Sequence, residues 1–142
     1  MRAPSKRAVV ALLIVAVAGL AVAAQLARAP SKVSAAFDGA PALTVATFSS
    51  EWCASCRVLK PTLAKAMPRF SGAPVKFVEY DFTFGETEAL RARAEADGVG
   101  ATFDRFAGAT GFSLIVDAAS GEIVDTLTMN HSAEAMAAAI DD

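Results

Sequence analysis

The sequence predicts an α/β fold, a three-layer arrangement in which a central mixed β-sheet carries helices on both faces, preceded by an N-terminal hydrophobic helix. Three observations carry this expectation. Residues 1–26 concentrate the apolar composition. From Leu43 onward, strand-like and helix-like patterns alternate. The chain then closes on two short strands joined by a turn and followed by a helix.

Arg2, Lys6 and Arg7 precede an uncharged run from Ala8 to Ala24. A bilayer-spanning helix needs about 20 residues, with about 17 as the lower limit. Ala8–Leu26 meets that limit with Gln25 at the interface. The basic residues hold their end in the cytoplasm and send the rest of the chain across. The segment reads either as an uncleaved signal anchor or as a secretory signal peptide cut after Ala21-Val22-Ala23. Its apolar run exceeds the roughly 7–15 residues of a signal core, which favours the anchor. Both readings place the domain where disulfides persist: facing the periplasm from the inner membrane, or periplasmic or secreted after cleavage. Residues 27–41 hold Pro30, Ser31, Lys32, Ser34, Asp38, Gly39 and Pro41 without an apolar period, and read as a linker. Residues 42–142 remain as one domain.

Leu43–Phe48 is β-branched and aromatic, the mark of a buried strand. After it, Val58, Leu59, Leu63, Ala66 and Met67 recur at helical spacing through to Phe70, with Pro61 inside the pattern to bend it. Ser71-Gly72-Ala73-Pro74 turns the chain into a second strand over Val75–Phe82. Glu86–Asp97 is helical, with Gly98 placed to end it, and Thr102–Ala107 reads as a short helical turn carrying Phe103 and Phe106. Two strands, Ser113–Asp117 and Glu122–Leu127, flank the turn Ala118-Ala119-Ser120-Gly121. A last helix spans Ser132–Ile140, capped by Asn130 or Ser132.

A net charge of −2 supplies no field for capturing nucleic acid. The chain has two cysteines, Cys53 and Cys56, and one histidine, His131. That is too few ligands for a four-coordinate zinc site within one chain, so neither metal nor cofactor is expected. His131, ahead of the last helix, is assigned a surface or capping role.

Glu51-Trp52-Cys53-Ala54-Ser55-Cys56-Arg57, with Pro61 five residues after the second cysteine, resembles the active-site region of the thioredoxin superfamily. The preceding strand, the proline-bearing helix, the Gly111-Phe112-Ser113-Leu114-Ile115-Val116 segment and the final hairpin and helix fit the same pattern over roughly residues 42–142. The resemblance implies a thioredoxin-like fold and thiol–disulfide oxidoreductase activity. It makes Cys53 and Cys56 catalytic, with Trp52, Ala54, Ser55, Glu51 and Thr47 flanking the site and Phe112 and Ser113 binding substrate. Three departures stand out. Ser113 takes the place of the family's cis-proline and is expected to be trans, because a cis non-proline bond costs about 2.5–4 kcal/mol. Thr47 stands where thioredoxins bury an acid, leaving Glu51 as a speculative substitute. The stretch between Asp81 and Ser113 is longer than in the smallest members, and its Phe103 and Phe106 read as core packing rather than groove lining.

The chemistry follows from the spacing. A thiolate is the nucleophile in disulfide exchange, and an ordinary cysteine near pKa 8.5 is mostly protonated at neutral pH. Cys53 at the first turn of a helix meets unpaired N–H groups and the positive end of the helix dipole, which favour the thiolate. Cys56, one turn on, can then resolve a mixed disulfide. Trp52 is expected to flank and shield the sulfur. The leading function is reduction of disulfides in exported proteins, with electrons from a membrane thiol–disulfide donor. The alternatives are a thiol oxidase or disulfide isomerase, or a non-catalytic binding domain whose CxxC is a structural disulfide.

Overall fold

The computed structural model describes residues 39–142. The expected N-terminal helix, and all but the last three residues of the expected linker, lie outside these residues. Among the described residues, no helix is long and apolar enough to cross a membrane.

Strand β1, Leu43–Ser49, is buried at every position but its first, and so reads as a continuous apolar and β-branched run. It is central in a four-stranded sheet of order β2-β1-β3-β4. Strand β2, Val75–Asp81, lies parallel to β1, in register from Leu43 opposite Val75 to Ser49 opposite Asp81. Strand β3, Phe112–Asp117, lies antiparallel on the other side, and β4, Ile123–Thr128, pairs antiparallel with β3. A register irregularity between Ile115 and Val116 interrupts this edge pairing, the kind of bulge that blunts a free edge.

The helices are α1 (Cys56–Ala66), α2 (Thr87–Ala96), α3 (Gly100–Phe106) and α4 (Ala133–Asp141). Side chains alternate across the sheet, so each face has its own core. Val45, Phe77, Ile115 and Leu127 pack with Leu59 and Leu63 of α1 and Met136, Ala137 and Ile140 of α4. On the other face, Ala46, Phe48, Tyr80, Leu114 and Val116 pack with Ala94 of α2 and Phe103 of α3. Helices therefore cover both faces, as the sequence predicts. Phe48 sits among Tyr80, Phe82, Phe103, Phe106 and Phe112, with ring centroids 5.2–6.3 Å away. Buried aromatics of this kind resist truncation to alanine by about 3–5 kcal/mol. Phe103, fully buried in this cluster, is core as expected.

Both ends of α1 differ from expectation, its start lying within the CxxC motif. The helix expected to reach Phe70 ends at Ala66 and continues as a 3-10 turn over Met67–Phe70. Pro68 explains the change, because it has no N–H to continue the α-helical ladder. Pro61 is accommodated within α1, on its exposed side. The other element ends fall within one or two residues of their expected positions: Gly98, at φ +82, follows α2, and Ser132 caps α4 by accepting the Ala135 N–H at 3.2 Å.

Candidate active site

β1 and β2 end together at the paired residues Ser49 and Asp81, and the chain after β1 forms the turn that carries the CxxC motif. Cys53 donates its N–H to the Ser50 carbonyl at 3.3 Å. Cys53 and Cys56 are joined as a disulfide with Cα atoms 5.3 Å apart. Cys53 is 7 % exposed and Cys56 2 %, so Cys53 is the more exposed residue of the pair.

The sequence expectation placed Cys53 within the first turn of the helix. The structure moves the boundary: α1 begins at Cys56, with Ser55 as its N-cap residue. Ser55 makes no side-chain cap bond. Instead the Cys56 N–H donates to Cys53 Sγ at 3.2 Å. A sulfur side chain thus satisfies one of the donors that a helix start leaves unpaired, and the reasoning that this end favours a thiolate is retained. Cys56 Sγ lies 3.9 Å from the Phe48 carbonyl oxygen, which can accept from the thiol once the bond is reduced.

The flanking residues divide sharply. Trp52 is 64 % exposed. Glu51 is exposed, and its backbone N–H donates to Thr83 Oγ1 at 2.9 Å. It is not a buried acid, and the substitution suggested for it fails for that reason. Ala54 is exposed and Ser55 partly so. Thr47 is buried and shares a 2.7 Å hydrogen bond with Ser113 Oγ. Ser113 is fully buried opposite Thr47 in the β1–β3 register. Its side chain therefore meets β1. No peptide bond among the described residues is cis. Phe112 is partly exposed and stacks on Phe48 with centroids 5.2 Å apart.

Sequence reasoning missed Gly111. Its N–H donates to the Phe48 carbonyl at 2.9 Å, and a Cβ built on it would lie 3.0 Å from Ser55 Cβ and 3.4 Å from Cys53 Sγ. Gly111 holds φ +101, a conformation that favours glycine. Gly111, two positions ahead of the residue aligned with the cis-proline, lies close against Cys53.

Beneath the N-terminal half of α1, Ser49 Oγ donates to Glu79 Oε1 at 2.6 Å, and Lys60 pairs with the same carboxylate. Glu79 stands opposite Thr47 in the β1–β2 register. Among the described residues, Ser50 Oγ is buried without a hydrogen-bond partner. His131 lies in the turn before α4, where its Nδ1 accepts from the Thr128 N–H at 3.1 Å, and Thr128 pairs with Phe112 in the β3–β4 register. Among the described residues, no group of three or more His, Cys, Asp or Glu is placed to hold a metal ion.

Residues 31–97 match the family model described as Thioredoxin. Three solved structures are similar in fold. StoA from Bacillus subtilis is 18 % identical, with a TM-score of 0.49, covering 72 % of this chain and 84 % of that one. A thiol:disulfide interchange protein of the thioredoxin family from Chlorobium tepidum TLS is 16 % identical, with a TM-score of 0.47 and coverage of 80 % and 97 %. A DsbF homologue from Corynebacterium diphtheriae is 12 % identical, with a TM-score of 0.44 and coverage of 77 % and 82 %. No curated protein matches the chain at the sequence level. The match of residues 31–97 to the thioredoxin model, the sheet order and the disulfide at the start of α1 together support a thioredoxin-like domain with thiol–disulfide oxidoreductase chemistry at its CxxC pair, Cys53–Cys56.

Proposed function

We propose that the protein works outside the cytoplasm, held by its N-terminal segment, and reduces disulfides of exported proteins through Cys53 and Cys56. The observation that carries the assignment of roles is the asymmetry of the pair: Cys53 is the more exposed residue and its sulfur receives the Cys56 N–H, while Cys56 is buried against β1. In the dithiol state, the Cys53 thiolate attacks one sulfur of a partner's disulfide and expels the other as a thiolate, which takes a proton. Cys56 then attacks Cys53 Sγ, releases the second partner thiol and restores the Cys53–Cys56 disulfide. Two electrons pass to the partner, and a membrane thiol–disulfide donor returns them.

A merely structural role for the pair is disfavoured, because closing so short a loop stabilises little. An oxidase would use the same residues in the opposite direction. The export reading rests on Arg2, Lys6 and Arg7 ahead of the uncharged run.

Trapping tests the assignment in the full chain in its native membrane. Cys56→Ala should accumulate a covalent partner that Cys53→Ala does not, and equal accumulation in both would sink the division of roles. The reduction potential decides direction: near about −270 mV fits a reductant, near about −120 mV an oxidant.

A further inference from the structure

Phe84 is the most exposed large apolar side chain among the described residues, at 85 %, and Trp52 follows at 64 %. The two belong to neighbouring segments. β1 and β2 finish in register at Ser49 and Asp81, so the CxxC turn and the Phe82–Gly85 loop leave the sheet at one end. Hydrogen bonds then fasten the loop to the turn. Phe82 donates its N–H to the Ser49 carbonyl at 2.8 Å, and Glu51 donates its N–H to Thr83 Oγ1 at 2.9 Å. Thr83 is itself held by Asp81, whose Oδ1 accepts the Thr83 N–H at 2.9 Å and also its hydroxyl proton. Gly85 closes the turn with φ +70, donating its N–H to the Phe82 carbonyl at 3.2 Å. Phe84 is therefore presented at the tip of a braced turn beside the residue that precedes Trp52.

We infer that Phe84 and Trp52 form an aromatic docking edge for the partner chain, selecting apolar residues that flank its reacting cysteine. This inference rests on the exchange function proposed above, which also identifies the occupant. The macromolecule that must approach this end of the sheet is the one whose sulfur reacts with Cys53. Phe84 and Trp52 offer that chain apolar surface, and burying a phenyl group against it is worth roughly ten- to a hundredfold in rate or affinity. Arg57 and Glu51, also exposed here, are of opposite sign, and Asp81 and Glu86, exposed beside the loop, add negative charge.

The test uses the reduced full chain in detergent and two symmetric peptide disulfides, one with Phe and Leu flanking each cysteine and one with Ser on both sides. In each reaction, two electrons and two protons pass from the Cys53/Cys56 dithiol to the peptide disulfide, giving two peptide thiols. The protein should reduce the apolar peptide about tenfold faster. Phe84→Ser should bring that ratio close to unity, while Val124→Ser, an exposed apolar position on β4, should leave it unchanged. Equal rates on the two peptides, or a ratio that survives Phe84→Ser, overturns the docking edge alone. Concentration-dependent self-association abolished by Phe84→Ser, with the ratio intact, assigns the edge to a second copy and also overturns it. Failure to reduce either peptide or hydroxyethyl disulfide overturns the oxidoreductase reading instead.

Discussion

Thr47 Oγ1 and Ser113 Oγ share a 2.7 Å hydrogen bond in the buried interface between β1 and β3, where the two residues pair directly in register. Neither side chain is ionisable, and each hydroxyl satisfies the other. Removing one hydroxyl strands the other in a site with no water contact, which costs about 1–3 kcal/mol. Thr47→Val and Ser113→Ala should each destabilise the disulfide form by that amount in denaturant unfolding. The double variant should lose much less than the sum, because neither hydroxyl is then left unpaired. Additive losses would show that the pair contributes nothing as a pair.

The same pairing places no ionisable group at position 47. Thr47→Asp should introduce one, with its pKa raised by burial above the ordinary value of about 3.9. A carboxyl whose folded pKa is raised is stabilising only while it is protonated. Relative to the parent, Thr47→Asp should therefore lose stability as pH rises through that pKa, and unfold more readily at pH 8 than at pH 4. It should also speed resolution of a mixed disulfide by Cys56 near neutral pH by supplying a proton acceptor. Stopped-flow release of a fluorescent thiol from a Cys53 adduct measures this, and an unchanged rate would count against a role for an acid there.

Ser50 presents the converse case, a buried hydroxyl with no partner among the described residues. Such a group forfeits its hydration without compensation. Ser50→Ala should be neutral or stabilising by up to about 1 kcal/mol in a denaturant melt. A loss larger than that would reveal a partner formed in solution.

How far the sequence carried these conclusions depended on the kind of signal. The strands and helices were legible because burial on one face or both leaves a periodic trace. Phe103 could be assigned to the core for the same reason. Cys53 and Cys56 were legible because their chemistry depends on identity and spacing. The start of α1 was read three residues too early, since Cys53 is joined to the helix through a side-chain sulfur that accepts a backbone N–H, which leaves no mark in a propensity pattern. Gly111 was missed because an ungapped match aligned Ser113 with the missing proline. The signal that could have found it is a glycine directly ahead of a strand, the residue type that tolerates φ +101 and a sulfur close by.

At the far end of the β3–β4 hairpin, Asp117 Oδ1 accepts from the Ala119 N–H at 3.1 Å, the Ser120 N–H at 2.7 Å and the Ser120 hydroxyl at 2.8 Å. The Ser120 N–H, foremost, holds the carboxyl below its usual pKa, helped by the Ser120 hydroxyl and the Ala119 N–H. A depressed folded pKa contributes stability that is present above the unfolded value of about 3.9 and is lost as pH falls through the folded one. Asp117→Asn should flatten the acid limb of the stability curve below about pH 4. An acid limb unchanged in the variant would show that other carboxylates set it.

Gly111 allows backbone strain to be separated from crowding of the reactive sulfur. Any L side chain there must adopt φ near +101 and place its Cβ 3.0 Å from Ser55 Cβ and 3.4 Å from Cys53 Sγ. Gly108 is the matched control: it holds φ +84, but a Cβ there meets nothing within 4 Å. Both Gly111→Ala and Gly108→Ala should lose about 1–2 kcal/mol from the left-handed conformation. Gly111→Ala alone should also displace Ser55 or Cys53 and slow alkylation of the reduced Cys53 by iodoacetamide, by a margin that Gly108→Ala does not show. If the two variants react at the parent's rate, the space over Cys53 has no bearing on its chemistry. If both are slowed alike, strain in the connection into β3, and not the approach of Gly111 to the sulfur, governs access to the disulfide.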